Sequence, residues 1–325
     1  MTTVRDWSTV PVETLALLFE RERRRWRHTL HWDVSSAWAE VETARTSWGL
    51  PGLVALDDGG HLAGATFYVI DGGILQVGGL FADTAHATCA LLDGLVSAAE
   101  TAGATMLSVF VFEGAPSLSL ELSRRGFEIE PFLYLTRALP GDADHGSDEA
   151  VYPADATVQS WNMHDVPGTA ALLREAYGPG AGRHFAPTHT PAEWERYVRN
   201  LVQHTACGVL HPGASQVLRS AQGRIVGVVL VTTIAPEVAH VAQVAVHPLL
   251  RRQGVADRLL ARACAVVTGQ GYRQVTLLVG ASNRAARDLY GTMGFVSGAA
   301  FVAGSGQPRR LTRDALATGG ASTRR

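Results

Sequence analysis

Cysteine is scarce: Cys89, Cys207 and Cys264 are the only three in 325 residues. Thiols this few and this scattered exclude a disulfide framework and a zinc cluster. Cys89 and Cys264 fall at apolar positions of expected helices, where thiols are commonly buried, so a reducing, cytoplasmic setting and no bound metal are expected. Lysine is absent, and arginine supplies the basic charge. With abundant alanine and glycine, this reflects a GC-rich coding bias and not a function. The formal net charge is only −2, which excludes strong steering toward nucleic acid or an anionic membrane. No apolar run approaches the ~20 residues needed to span a bilayer. The opening MTTVRDWSTVPVETL lacks the apolar stretch of a signal peptide.

What the chain does have is length and apolar content. Its 325 residues, 46% of them hydrophobic, suffice for two domains with real cores. The most informative stretch runs from His240 to Phe295. His240 to Val246 is apolar and β-branched and reads as a buried strand. Arg251, Gly254 and Ala256 follow in the pattern R-x-x-G-x-A. A helix is then expected from Val255 to Gly269, with Val255, Leu259, Ala263 and Val266 on one stripe. A strand entering a helix through a glycine turn leaves unpaired N–H groups at the helix start, a natural seat for phosphate. Val275 to Val279 reads as a second strand. Asn283 can cap a short helix after it, Gly294 can end that helix, and Tyr290 lies two turns beyond Asn283 near the same face.

Together these residues closely resemble the GNAT family of acyl-CoA-dependent N-acetyltransferases. The match comprises Arg251-x-x-Gly254-x-Ala256, Asn283-x-x-Ala286, Leu289-Tyr290 and Gly294-Phe295, in the family's order and spacing. The resemblance implies acetyl-CoA as donor, with pyrophosphate on the N–H groups of Arg252, Gln253, Gly254, Val255 and Ala256. It implies a pantetheine arm beside a splayed strand at Val244, Ala245 and Val246, with Asn283 and Ala286 near the arm. It places Tyr290 where the family keeps the acid that reprotonates the leaving thiolate. It also makes His240 the candidate base, with Glu237 the alternative and His247 a weaker one. Gln243 alternates with His240 on a regular strand and is expected on the opposite face. The acceptor side in this family is lined by the segment after the first helix, here Gly178 to Thr190, offering Arg183, His184, Phe185 and His189.

The order of elements repeats along the chain. Gly60-His-Leu-Ala-Gly64 resembles Gly223-Arg-Ile-Val-Gly227, Leu75-Gln76-Val77 resembles Ala242-Gln243-Val244, and Gly126-Phe127 resembles Gly294-Phe295. The fold expected is α+β, layered α/β/α: two tandem GNAT folds, each a mixed, mostly antiparallel sheet flanked by helices. The domains expected are 1–140, a linker over 141–152, a catalytic domain over 153–312, and a disordered tail over 313–325. The first copy looks degenerate. Laying Gln76 on Gln243 puts Thr84, Ala87 and Cys89 on the Arg251, Gly254 and Ala256 positions; laying Gly126 on Gly294 puts Leu122 on Tyr290. The function implied is transfer of an acetyl group to a primary amine of a small molecule, by a monomer or homodimer. The alternatives are a non-catalytic acyl-CoA sensor and a protein or peptide acetyltransferase.

Overall fold

The helix expected at Val255 to Gly269 forms over those residues, and Val255, Leu259, Leu260, Ala263, Cys264 and Val267 are its buried stripe. Such agreement is general in this computed structural model, which describes residues 2–140, 152 and 156–308. The linker expected over 141–152, apart from Tyr152, and the tail expected over 313–325 lie outside the described residues.

The elements in order are β1 (Thr3–Asp6), α1 (Val12–Leu30), α2 (Ser35–Trp48), β2 (Gly52–Leu56), β3 (Leu62–Asp71), β4 (Ile74–Ala82), α3 (Ala85–Thr101), β5 (Met106–Phe112), α4 (Leu118–Arg124) and β6 (Glu128–Ala138). They continue with β7 (Thr157–Ser160), α5 (Val166–Ala181), α6 (Pro191–Gln203), β8 (Val209–Leu210), β9 (Gln216–Arg219), β10 (Ile225–Ala235), β11 (Val238–Val246), α7 (Val255–Gly269), β12 (Gln274–Gly280), α8 (Arg284–Thr292) and β13 (Val296–Gly306). The chain packs as two units of interleaved segments. One takes its described residues from Met1–Glu22, Val41–Phe132 and the stretch from Ala300 on; the other takes Arg23–Glu40 and Leu133–Ala299.

In the first unit the strand order is β1-β2-β3-β4-β5-β13. The β4–β5 pair is parallel and its neighbours are antiparallel. Leu91, Leu92, Leu95 and Val96 of α3 meet Leu75, Val77, Leu107 and Val109 of the sheet in one core. In the second unit the order is β6-β12-β11-β10-β9-β7, with β8 also on β10. Here β11–β12 is the parallel pair. Ile225 to Ile234 of β10 is buried almost throughout, as a strand covered on both faces must be. Leu259, Leu260 and Val267 of α7 cover one face. Leu172, Leu173, Trp194 and Val198 of α5 and α6 cover the other. Both units are therefore the layered α+β fold expected, present twice.

Thr190 starts α6 through a capping box with Glu193, and Pro191 takes the first turn, where its missing N–H has no cost. The break expected after Tyr177 is a kink: α5 runs on to Ala181, with Gly178 at φ 64°, a left-handed value glycine adopts without strain. The last strand, expected from Phe301, begins earlier, at Val296.

Candidate active site

Strands β11 and β12 pair from Val238↔Gln274 to Val241↔Leu277 and no further. Beyond Val241 the two part, and β11 continues alone on that side. The cause is on the opposite edge of β11. Leu230 pairs with Gln243 while Val231 pairs with Val241, so Ala242 is an extra residue in the ladder. Such a bulge bends and twists its strand.

The bulge also decides which way side chains point. Leu230 and Thr232 are two apart on β10 and share a face. They stand opposite Gln243 and His240. Gln243 and His240 therefore face the same side, toward α5 and α6, and not opposite sides as strict alternation implies. Main-chain direction follows equally. The His247 N–H bonds back to Val226 on β10. Counting back by twos, the N–H groups of Val244 and Val246 point to the side β12 has left.

Gln243 is buried there. Its Oε1 accepts from the Tyr177 hydroxyl at 3.0 Å and from the Val244 N–H at 3.2 Å; its Nε2 donates to the Tyr197 oxygen at 3.2 Å. Burial raises the Tyr290 hydroxyl well above its ordinary pKa, and Tyr177 adds a smaller electrostatic push in the same direction. Tyr290 is a protonated phenol at neutral pH, as a proton donor must be. Its ring packs edge-on to Phe295 at 5.8 Å.

The loop from β11 to α7 spans residues 247–254. Arg252 and Gly254 both have left-handed φ, 64° and 72°. No side chain caps α7, so the first-turn N–H groups, which have no intrahelical acceptor, are left to point out of the turn. Side chains cover two of the loop's carbonyls: Gln253 Nε2 donates to Leu249 O at 3.1 Å, and Arg258 from α7 donates to Gln253 O at 2.6 Å. Arg251 reaches across to Ala176 O. An anion seat with free amides results, and it fits a pyrophosphate. Asn283 caps α8 through the Ala286 N–H at 3.2 Å.

Other expected residues lie elsewhere. His240 stands about 10 Å before Gln243 along the strand, at ~3.3 Å per residue. It is 3% exposed. Its ring is 4.9 Å from Trp32 and stacked on Tyr134 at 6.2 Å, and Nδ1 meets Thr276 Oγ1 at 2.9 Å. Burial pushes its pKa down to about 3. Glu237 lies at the β10–β11 turn, paired with Arg273 at 3.2 Å, about 20 Å of strand before Val244. His247 accepts from the Leu249 N–H and meets Glu175 at 3.1 Å. Phe185 packs on Tyr197 at 4.9 Å and Tyr177 at 5.5 Å. Arg183 is exposed and His184 half-buried on the turn after α5. His189 Nδ1 accepts from Trp194 Nε1. Tyr177, Tyr197 and Gln243 were not sequence candidates. The one signal for them was a polar residue inside the apolar run VAHVAQVAV.

The first unit follows the same plan with a shorter connection after its bulged strand. Phe67 pairs with Gly79 and Tyr68 with Val77, so Gly78 is the bulge, and parallel pairing ends at Val77↔Val109. By this register Gln76 corresponds to His240 and not to Gln243, because bulge must lie on bulge. A Cβ on Gly78 would stand 2.2 Å from the Phe67 ring, which covers the bulge. Only Asp83 and Thr84 separate β4 from α3, so the loop that joins β11 to α7 has no counterpart here. The Thr84, Ala87 and Cys89 overlay therefore gives way to a deletion. Thr84 caps α3 by accepting from the Ala87 N–H, leaving no free seat at that amide. The Leu122 overlay stands: Phe127 N bonds Leu122 O as Phe295 N bonds Tyr290 O.

The model of the Acetyltransferase (GNAT) family matches residues 179–295. Over these residues the chain is similar to that family. A GCN5-related N-acetyltransferase from Sphaerobacter thermophilus is similar in fold, with TM-score 0.64 and 17% identity over 96% of this chain and 97% of that one. A tandem GNAT protein from the clavulanic acid biosynthesis pathway has TM-score 0.56 and 16% identity, over 81% of this chain and 84% of that one. A GCN5-related glucosamine N-acetyltransferase region of a fungal multi-domain GH3 β-N-acetylglucosaminidase has TM-score 0.56 and 13% identity, over 94% of this chain and 38% of that one. A search of curated proteins returned no match. The fold of the chain is thus similar to that of a tandem GNAT protein. Among the described residues no helix is long and apolar enough to cross a membrane, and no group of His, Cys, Asp and Glu is placed to hold a metal.

Proposed function

We propose that the chain is an acetyl-CoA-dependent N-acetyltransferase that moves an acetyl group to a primary amine of a small molecule, by direct attack in a ternary complex. One observation carries the reading. In the second unit alone, β11 parts from β12 beside an uncapped α7 and a buried, protonated Tyr290.

Acetyl-CoA would supply the activated acyl group. The amides of residues 252–256 hold its pyrophosphate, and those of Val244 and Val246 polarise the acyl carbonyl. The amine nitrogen attacks that carbon, the carbon–sulfur bond breaks, and Tyr290 gives its proton to the departing thiolate. Arg183 and His184 meet the acceptor. The base is assigned to solvent. His240 is enclosed and holds no proton near neutrality, and its weak basicity suits it poorly to accept one. Glu237 is a long way down the strand. The amine then arrives as free base, a fraction below ~1% at pH 7 for an ordinary alkylamine.

The test is thiol release from acetyl-CoA with amino acids, polyamines, aminoglycosides and arylalkylamines as acceptors. Release with at least one class supports the proposal. The sealed His240 also favours a second reading, a non-catalytic acyl-CoA sensor. Calorimetric binding of acetyl-CoA with no thiol release across that panel would select it.

A further inference from the structure

The N–H of Val244 points into the gap beyond the last β11–β12 pair, yet it is not free. Gln243 Oε1 accepts from it at 3.2 Å. The same oxygen takes the Tyr177 hydroxyl at 3.0 Å, so both its lone pairs are used. The amide end is tied to Tyr197 at 3.2 Å. The carboxamide is thus held on three sides. Tyr177 comes from α5 just before the Gly178 kink, Tyr197 from α6, and Val244 from the strand itself. A polar side chain in an apolar layer requires this much satisfaction. The bulge at Ala242 is what turns Gln243 to this position. The first unit, which has no phosphate loop, has Gly79 at the corresponding place.

We infer that Gln243 sets the discrimination between acyl-CoA and free coenzyme A, its side-chain oxygen occupying the place on the Val244 N–H that an acyl carbonyl oxygen would take. An acyl thioester binds only by displacing that oxygen. Free coenzyme A carries no carbonyl at its sulfur and leaves the contact intact. The inference rests on the donor site proposed above, and the test separates the two.

The probes are acetyl-CoA and coenzyme A, titrated by calorimetry into the full chain and into three variants. Gln243→Leu removes the competing acceptor at similar size and raises the affinity ratio of acetyl-CoA to coenzyme A about tenfold, the factor one net hydrogen bond supplies. Gln243→Glu puts a stronger acceptor on the same amide and lowers the ratio by a similar factor. Tyr177→Phe loosens the side chain without removing it and raises the ratio by less than Gln243→Leu does. Coenzyme A affinity itself stays within about twofold in Gln243→Leu and Tyr177→Phe, since neither touches the phosphate loop. A ratio unmoved in both Gln243 variants, or moved the same way in both, overturns the inference. Failure of coenzyme A to bind the unaltered chain overturns the donor site instead.

Discussion

Replacing His240 by asparagine separates two roles that a histidine on this strand could hold. In the structure the ring is enclosed by Trp32 and Tyr134, and its Nδ1 meets Thr276. Burial holds its pKa at about 3, against an ordinary 6.5. The unfolded chain therefore takes up a proton here well before the folded chain does. The stability this site contributes is fully present above pH 6.5 and is lost as pH falls from there toward 3. Each pH unit in that window costs about a factor of ten in the folded-to-unfolded ratio. Asparagine has no titrating group, so urea unfolding of His240→Asn between pH 6.5 and 4 should show a shallower fall, by about one proton. At pH 7.5 the variant should be less stable by about 2–3 kcal/mol, from lost ring packing and a Thr276 hydroxyl left without this partner. Thiol-release rates for the folded variant should keep the pH profile of the parent. A parent profile with a limb near pH 6–7 that vanishes in His240→Asn would instead make His240 the base.

Other expectations follow from the same geometry. Tyr290→Phe should lower kcat by about 10²-fold or more, the usual scale for a proton donor, with acetyl-CoA affinity little changed; equal turnover removes Tyr290 from the reaction. Gly254→Glu should abolish coenzyme A binding. It forces a left-handed φ of 72° on a residue with a Cβ, at about 1–2 kcal/mol, and sets a negative charge against phosphate; unchanged affinity would falsify the loop assignment. Gly254→Ala separates the two effects, because its Cβ meets only the movable end of Arg258 at 2.7 Å; it should retain weakened binding. Thr84→Ala should cost about 1 kcal/mol of stability through its lost cap and leave coenzyme A affinity as it was. With an alkylamine acceptor, kcat/KM should rise about tenfold per pH unit up to the amine's own pKa; a plateau near pH 7 would show a protein base.

The glycine turn before α7, the short α8 that carries Tyr290, and its Asn283 cap were legible because each is a local pattern. The Gly254 turn, the cap on α8 and the apolar stripe of α7 are set by residues within one or two turns of each other. The layered fold was legible through its repeat. What misled was strict alternation along β11. A single extra residue at Ala242 reverses every side chain beyond it, and nothing in VAHVAQVAV marks that residue as a bulge. Laying one glutamine on the other, Gln76 on Gln243, displaced the overlay of the two copies from the register of their bulges, which hid the shorter connection before α3. The closing of His240 was out of reach for a different reason. Trp32 and Tyr134 lie far away in sequence, and only the fold brings them to β11. Tyr177 and Tyr197 were hidden in the same way: at helical spacing they read as ordinary core.

The chain is expected to hold coenzyme A at a single donor seat, made of main-chain amides at the start of α7. Calorimetric titration of coenzyme A into the full chain measures it directly. One equivalent per chain, lost in Gly254→Glu and retained in Thr84→Ala, is the predicted result. Two equivalents, none, or binding that survives Gly254→Glu would contradict it.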